Sequence, residues 1–351
     1  MIENWLSKAQ LSFNVKNEKR KVNIPQNCSV IDGCDWESSL SVKIGKDWQP
    51  GYYIAKSRDS QGKAVEIPFV VQSSQEGARH LMVYDLNYFF SKNKYSGQSI
   101  DDYETLEVES EDYQLSLKRP WLTVFKNEEQ YERIPFFKVA PFYKALKTVH
   151  PGVEVISNTS LSSKTLEELQ KFQFITFVGD HQYLDRGLVE RVNQYVQSGG
   201  VLWLAGHRFA QKEIEFDANG ERLKLKKSSL VNPLFKELEF KSAGLTVVNE
   251  KHPLVDKIDI QKWGKVKGWS LSVPLMFPFS RVCIDHPLAN CDNSEIIAYA
   301  SIKDEAGENF YSPLTLIKNG QGKVIYTPKN FFNDNERVIE QFIKNLNSVS
   351  L

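Results

Sequence analysis

The chain has 351 residues, 41% hydrophobic and 25% charged, with 44 basic and 44 acidic side chains and a formal net charge of zero. That length and composition suit a globular protein of two domains, or of one domain with a large appendage. Balanced charge argues against a general nucleic-acid binder, which needs surplus cations to displace phosphate counterions, and gives an anionic membrane surface nothing to attract.

No stretch reaches the ~20 apolar residues that span a bilayer. Met1 to Phe13 lacks a basic cap ahead of an apolar run, so no secretory signal is read there and a cytoplasmic location is expected. Cys28, Cys34, Cys283 and Cys291 show no C-x-x-C spacing. Buried free thiols are the expectation, with a Cys28–Cys34 loop disulfide as the alternative in an oxidising compartment.

In chain order, the first third reads as β. Leu11 to Val15 and Leu40 to Ile44 alternate apolar and polar, as half-buried strands do. Tyr52 to Lys56 and Val65 to Val71 flank a hairpin-type turn at Ser60 to Lys63. Short strands at this spacing predict a small β-sandwich-like, Ig-like domain over 1–75. Leu81 to Tyr84 is the next strand, and Asp85 to Glu111 reads as a long loop whose aromatics form a lid or pack it down.

Pro141 to Val149 has helical periodicity, with Pro141 in the first turn. Val153 to Ile156 is a strand and Lys164 to Lys171 a helix capped by Ser162 or Ser163. Phe174 to Val178 is the apolar, β-branched run of a parallel strand buried on both faces. Leu188 to Gln197 is an amphipathic helix stopped by Ser198-Gly199-Gly200, and Val201 to Ala205 is a second buried strand. Together they make a βαβ unit, whose ligands belong beyond the strands' carboxyl ends, at Gly179 to Asp185 and Gly206 to Lys212. Arg222 to Lys226 reads as an exposed edge strand. Gly322 to Thr327 and Glu336 to Leu346 close the chain as strand and helix, so 76–351 is expected to be one α/β domain with a β-rich insertion around 224–311.

The turn Gly179-Asp180-His181-Gln182-Tyr183-Leu184, followed by a helix, Gly199-Gly200 and a strand ending at Gly206-His207-Arg208, resembles the N,N-dimethylformamidase large (beta) subunit family. That family carries Gly-His-Asp-Glu-Tyr-Trp at this turn. Gly51 to Ala55, Ile67 to Val71, Lys118-Arg119-Pro120 and Gly322 to Ile325 resemble its other segments in the same order. The resemblance implies a flavodoxin-like, class I glutamine amidotransferase-like core that lacks the cysteine nucleophile.

It also implies an iron site built from two tyrosines and a glutamate, with Tyr143 and Tyr183 at the tyrosine positions. Hard phenolate oxygens suit ferric iron acting as a Lewis acid on an amide carbonyl. Where the family supplies its glutamate, this chain reads Val266-Lys267-Gly268-Trp269-Ser270-Leu271, without a carboxylate. At the turn, uncharged Gln182 stands where the family has glutamate.

The candidate catalytic residues are therefore His181, Gln182 and His207, with Tyr143 and Tyr183 as candidate iron ligands. Structural readings compete with each. The tyrosines suit buried aromatics anchored by a hydroxyl, and Asp180 and Asp185 suit helix caps. His80, His150, His252 and His286 are expected on surface loops. No P-loop, G-x-G-x-x-G or serine elbow is present. The expected function is that of a diverged family member binding a small molecule in the strand-end crevice without a full iron site. The alternative is a metal-assisted hydrolase of C–N bonds in small amides. Neither reading involves nucleic acid or membrane, and both leave a homo-oligomer open.

Overall fold

The computed structural model describes residues 2–4, 10–11, 28–34, 41–45, 48–58, 64–72, 77–93, 99–100, 113–119, 139–206, 209–226, 238–243, 245–247, 251–258, 266–271, 294–304, 307–327, 332 and 335–349. Near the N-terminus, β1 (Ile2–Asn4), β2 (Gln10–Leu11), β3 (Gly51–Arg58) and β4 (Ala64–Val71) form one antiparallel sheet in the order β2-β1-β3-β4. The two-residue period of β3 sends neighbouring tyrosines to opposite faces. Tyr53 packs with Trp48, Phe69 and Val71, whereas Tyr52 joins the main core of the molecule. Of the segment Leu40 to Ile44, read as a strand from its alternation, the described residues 41–44 carry no strand.

The central sheet has eight strands. Five are mutually parallel: β5 (His80–Tyr84), β7 (Glu154–Ser157), β8 (Phe174–Val178), β10 (Val201–Ala205) and β18 (Gly322–Thr327). Their spatial order is β7-β5-β8-β10-β18. Three strands extend the far edge antiparallel, β17 (Gly307–Asn319), β16 (Ser294–Asp304) and β14 (Leu245–Val247). A further antiparallel pair, β13 (Leu238–Ala243) and β15 (Val266–Leu271), stands apart from this sheet.

All five residues of β8 and of β10 are buried, as an apolar parallel strand covered on both faces must be. Helix α2 (Ala140–Val149) packs with the C-terminal helix α6 (Glu336–Val349), and α4 (Leu166–Gln170) packs with α5 (Arg186–Gln197). Trp203 of β10 meets Phe142, Phe332 and Phe342, and its indole N–H donates to Thr327 Oγ1 at 2.9 Å. Helix α5 ends at Ser198, and Gly199 follows with φ +112, a conformation that favours glycine at a helix stop.

A second, four-stranded sheet joins β6 (Gln114–Ser116), β12 (Arg222–Leu225), β11 (Phe209–Phe216) and β9 (His181–Leu184) in that order. Two expectations change here. His181 to Leu184 is not a turn but a fully buried strand running parallel to β11. Arg222–Leu225 is not an edge: β11 and β6 flank it on either side. The partner that covers the far side of β12, β6, lies about a hundred residues upstream, and β9 pairs with β11 across a whole helix and strand, so local patterning gave no sign of either pairing.

Other expectations also change. The predicted loop from Asp85 begins with helix α1 (Leu86–Lys92), for which Asp85 is the N-cap. His80 and His252 are buried and His150 half-buried, rather than on surface loops; His286 lies outside the described residues. Cys28 and Cys34 form a disulfide rather than free thiols. The segment folds back through reciprocal Ser29–Gly33 backbone hydrogen bonds, with Gly33 at φ +76, which brings the two Cα atoms to 4.4 Å.

Where β8 and β10 end, Gly179 N–H donates to Ala205 O and Gly206 N–H to Thr327 O, both at 3.0 Å. A Cβ on Gly206 would overlap the Gly179 carbonyl. Gly206→Ala is therefore expected to cost about 1–3 kcal/mol by prising the two strand ends apart. The urea midpoint checks it, and an unchanged midpoint would mean the strand ends yield freely.

Candidate functional site

From β5 the chain crosses to β7 on one side and returns to β8 on the other, so the direction of winding reverses between β5 and β8. Ligands of open α/β sheets bind at the carboxyl ends of the strands flanking such a reversal. Register pairs Tyr84 with Val178, which sets Asp85 and Gly179-Asp180 side by side just beyond the strand ends. A Cβ on Gly179 would lie 3.9 Å from the Asp85 Cβ.

Asn158 organises the cluster. It follows β7 directly as the first residue of α3 (Asn158–Leu161) and is fully buried, with 0% exposure. Its Oδ1 accepts the backbone N–H groups of Leu86, Asn87 and Thr159 at 3.0, 3.1 and 3.0 Å. Its Nδ2 donates to Asp85 Oδ1 at 2.8 Å and reaches His181 Nδ1 at 3.4 Å. The same Asp85 oxygen caps α1 by accepting Tyr88 N–H at 2.9 Å. Asn87 Nδ2 donates to the Tyr183 carbonyl at 2.9 Å, and Thr159 Oγ1 donates to Asn87 Oδ1 at 2.6 Å. One asparagine thus ties together the ends of three strands and the start of α1.

His181 is buried and lies edge-on to Phe177 at 4.8 Å between ring centroids. Its Nε2 sits 3.2 Å from Val178 O. The network assigns a neutral ring that donates from Nε2 and accepts at Nδ1. Burial drives its pKa down to about 3, against a smaller upward pull from the Val178 carbonyl and Asp180. At Asp85 the same physics works in the opposite sense: with 1% exposure, burial lifts its pKa well above the usual carboxylate range, and the charge of Asp180 adds to this. Asp85 Oδ2 and Asp180 Oδ1 are buried and accept no hydrogen bond among the described residues. The arrangement offers a carboxyl group that holds its proton more tightly than usual, a second carboxyl group and a neutral imidazole at one strand-end position.

Of the sequence candidates, His181 and Gln182 lie buried here at the start of β9. His207 lies outside the described residues. Tyr183 belongs to a second hydrophobic cluster with Phe90, Leu115, Ile214 and Leu223. Tyr143 belongs to the main core, with its hydroxyl against Gly51 and its ring edge-on to Tyr52 at 4.6 Å. Burial, then Tyr53, pushes the Tyr143 phenol up to about 12.

Tested against iron, the described residues supply only part of the donor set that the resemblance implies. The two phenols lie in separate packing clusters, and β15, the segment matched to the glutamate ligand, has no carboxylate in its sequence. Among the described residues, no group of three or more His, Cys, Asp or Glu side chains is placed to hold a metal ion.

Asp85 and Asn158 escaped the sequence reading. Asp85 stands directly after a buried strand, as Gly179-Asp180 does, so the strand-end rule applied to β5 would have found it. Nothing local marks Asn158, whose partners lie 71–73 residues upstream and 23 downstream. Asp185 does cap a helix, accepting from Leu188 N–H and from the Ser162 hydroxyl, whereas Asp180 precedes a strand. Among the described residues, no helix is long and apolar enough to cross a membrane.

Solved structures resemble the chain only distantly. A β-galactosidase from Rahnella sp. R3 shares 12% identity over 78% of this chain, with a TM-score of 0.38, and the match spans 31% of the galactosidase. A cytoplasmic protein from Salmonella typhimurium shares 11% over 77% of this chain and 98% of its own, at 0.39. A ThuA-like protein from Bacteroides uniformis shares 13% over 78% and 92%, at 0.40. No curated protein sequence matches the chain. Residues 4–227, more than half the sequence and the part that contains β5, β7, β8 and β10, match the family described as N,N-dimethylformamidase beta subunit-like, C-terminal, and the chain belongs to that family.

Proposed function

We propose that this chain is a diverged dimethylformamidase-like protein that binds a small molecule in the crevice at the strand carboxyl ends and lacks the complete iron-amidohydrolase site. The observation that carries the reading is the buried cluster of Asp85, Asn158 and His181 where the winding reverses. Buried polar groups cost stability unless they are satisfied, so a partly satisfied cluster at a strand-end crevice is the mark of a ligand site. The strand order, second-first-third-fourth-fifth in chain terms, supports a flavodoxin-like core, and the antiparallel N-terminal strands support a separate β-rich domain.

The iron reading predicts a different protein: a metal-assisted hydrolase of small amides with Tyr143 and Tyr183 as phenolate ligands. Elemental analysis and a visible spectrum of protein purified without chelators or a His-tag separate the two. The expected result is no near-stoichiometric iron and no tyrosinate charge-transfer band, even after iron is offered, with Tyr183→Phe leaving metal content unchanged. Stoichiometric iron with such a band, lost in Tyr183→Phe, would establish the hydrolase instead. For the binding reading, thermal melts against a panel of small amides and sugars should find a stabilising ligand, worth about 2.7 kcal/mol at a hundred times its dissociation constant.

A further inference from the structure

One edge of the second sheet is fastened by a strap that a disulfide closes. Residues 28–34 fold back on themselves, with Cys28 bonded to Cys34 across the turn. The strap lies along β6: Ser116 N–H donates to Val30 O at 2.8 Å, and Cys34 N–H to Lys118 O at 2.9 Å. Val30 packs on the cluster that holds Leu115, Phe90 and Tyr183. Gly33 sits so close to β6 that a Cβ there would lie 2.5 Å from Ser116 Oγ. Arg222 of β12 reaches Asp32 of the strap at 3.0 Å. From β6 the connection continues inward through Arg119, which is buried. Its Nε donates to Ser116 O at 3.0 Å, while Nη1 and Nη2 donate to Asn93 O and Phe90 O at 3.0 and 3.4 Å, at the end of α1.

We propose that the Cys28–Cys34 disulfide is a reversible redox switch, which when closed fastens the strap to β6 and, through Arg119, steadies the end of α1. Three features set it apart from a staple of the whole fold. Its two cysteines are only six residues apart, so it restricts the unfolded chain little and its constraint is local. The turn is also held without the sulfurs, by the reciprocal Ser29–Gly33 bonds and by Asp32 N–H donating to Ser29 Oγ at 2.7 Å. Reduction therefore leaves the two thiols as neighbours, ready to be oxidised again, but removes the link that stops the strap from opening. Cys28 is half-buried and Cys34 buried, so Cys28 is the sulfur within reach of a reductant. One thiolate of a dithiol attacks Cys28 Sγ, forming a mixed disulfide and expelling the Cys34 thiolate, which takes a proton. The second thiolate closes the reductant's own disulfide and releases Cys28, which is protonated in turn; the dithiol is oxidised and the protein gains two thiols.

Hydrogen exchange of the full chain, oxidised and then treated with dithiothreitol without denaturant, tests this. Alkylation of parallel samples, resolved by peptide, keeps Cys28 and Cys34 distinct from Cys283 and Cys291. Cys28 and Cys34 should resist alkylation before the dithiol and accept it afterwards. On reduction, amides of residues 114–119 and 86–93 should exchange about tenfold faster or more, while those of β8 and β10 stay unchanged. Oxidised glutathione should restore the first pattern. The double variant Cys28→Ser, Cys34→Ser should behave as the reduced chain in either buffer; if it does not fold, the dithiothreitol series on the native chain decides alone. Thiols already open to alkylation, a bond that yields only in denaturant, or exchange at 114–119 that ignores reduction would each overturn the switch. So would acceleration that extends equally to β8 and β10, the mark of a global staple. Faster exchange at 114–119 with none at 86–93 would overturn the link through Arg119.

Discussion

Asn158→Ala is expected to destabilise the protein by about 3–5 kcal/mol, among the largest effects any single substitution should have here. Its Oδ1 meets three backbone N–H groups, two of them at the start of α1, and its Nδ2 bridges Asp85 and His181. Truncation leaves those donors without their acceptor, and each unsatisfied buried group costs about 1–3 kcal/mol, partly relieved by entering water. Asn158→Asp is a sharper control, since it keeps the acceptor but removes both Nδ2 bonds and sets a third carboxyl beside Asp85. Urea unfolding of the two variants reads the outcome. A loss below about 1 kcal/mol for the alanine variant would mean that α1 is capped adequately by Asp85 alone.

Acid should unfold this protein well above the pH at which carboxylates titrate. His181 is fully buried with its pKa pushed down to about 3, and His80 is held well below its usual value by burial and by neighbouring His150. His80 Nε2 contacts Thr176 Oγ1 at 2.6 Å, and its ring stacks on Phe174 at 5.4 Å. His150 and His252 are lowered as well, His252 against the upward pull of Glu295.

Folding therefore favours the neutral imidazoles, while the unfolded chain takes up protons near pH 6.5. Stability is present above that pH and falls as pH drops through it. For His181 alone the loss by pH 5 is about 2 kcal/mol. Asp85 works in the opposite direction, since its folded pKa is raised and acidification favours its folded form. That single carboxyl opposes four lowered imidazoles, and the net change expected is a loss. Urea midpoints at pH 7, 6 and 5 should decline steadily. A flat or rising series would show that these rings are charged in the folded protein.

The parallel core was legible in the sequence because its signals are local. Phe174 to Val178 and Val201 to Ala205 are apolar runs too continuous for a half-exposed strand, and the Ser198-Gly199-Gly200 stop lies between them; all three were found where read. The expectation of a site at Gly179 to Asp185 came from the strand-end rule alone. Family membership was readable too, from an ordered set of motifs of which each alone is weak.

What the sequence could not yield depended on partners distant along the chain. His181 to Leu184 reads as a turn after Gly179, yet parallel pairing with β11 makes it a strand. Asp85 looks like the start of a loop until Asn158, 73 residues away, shares the capping of α1 with it. His80 carries no mark of burial except the strand it begins; its hydrogen-bond partner, the Thr176 hydroxyl, lies 96 residues away. Hydrophobic period and helix stops are properties of neighbouring residues, and the sequence by itself determined them. The meeting of Asp85, Asn158, Asp180 and His181 depends on which strands lie side by side, and only tertiary structure decided that, because strand order is set by how helices cover the sheet rather than by any residue within the strands.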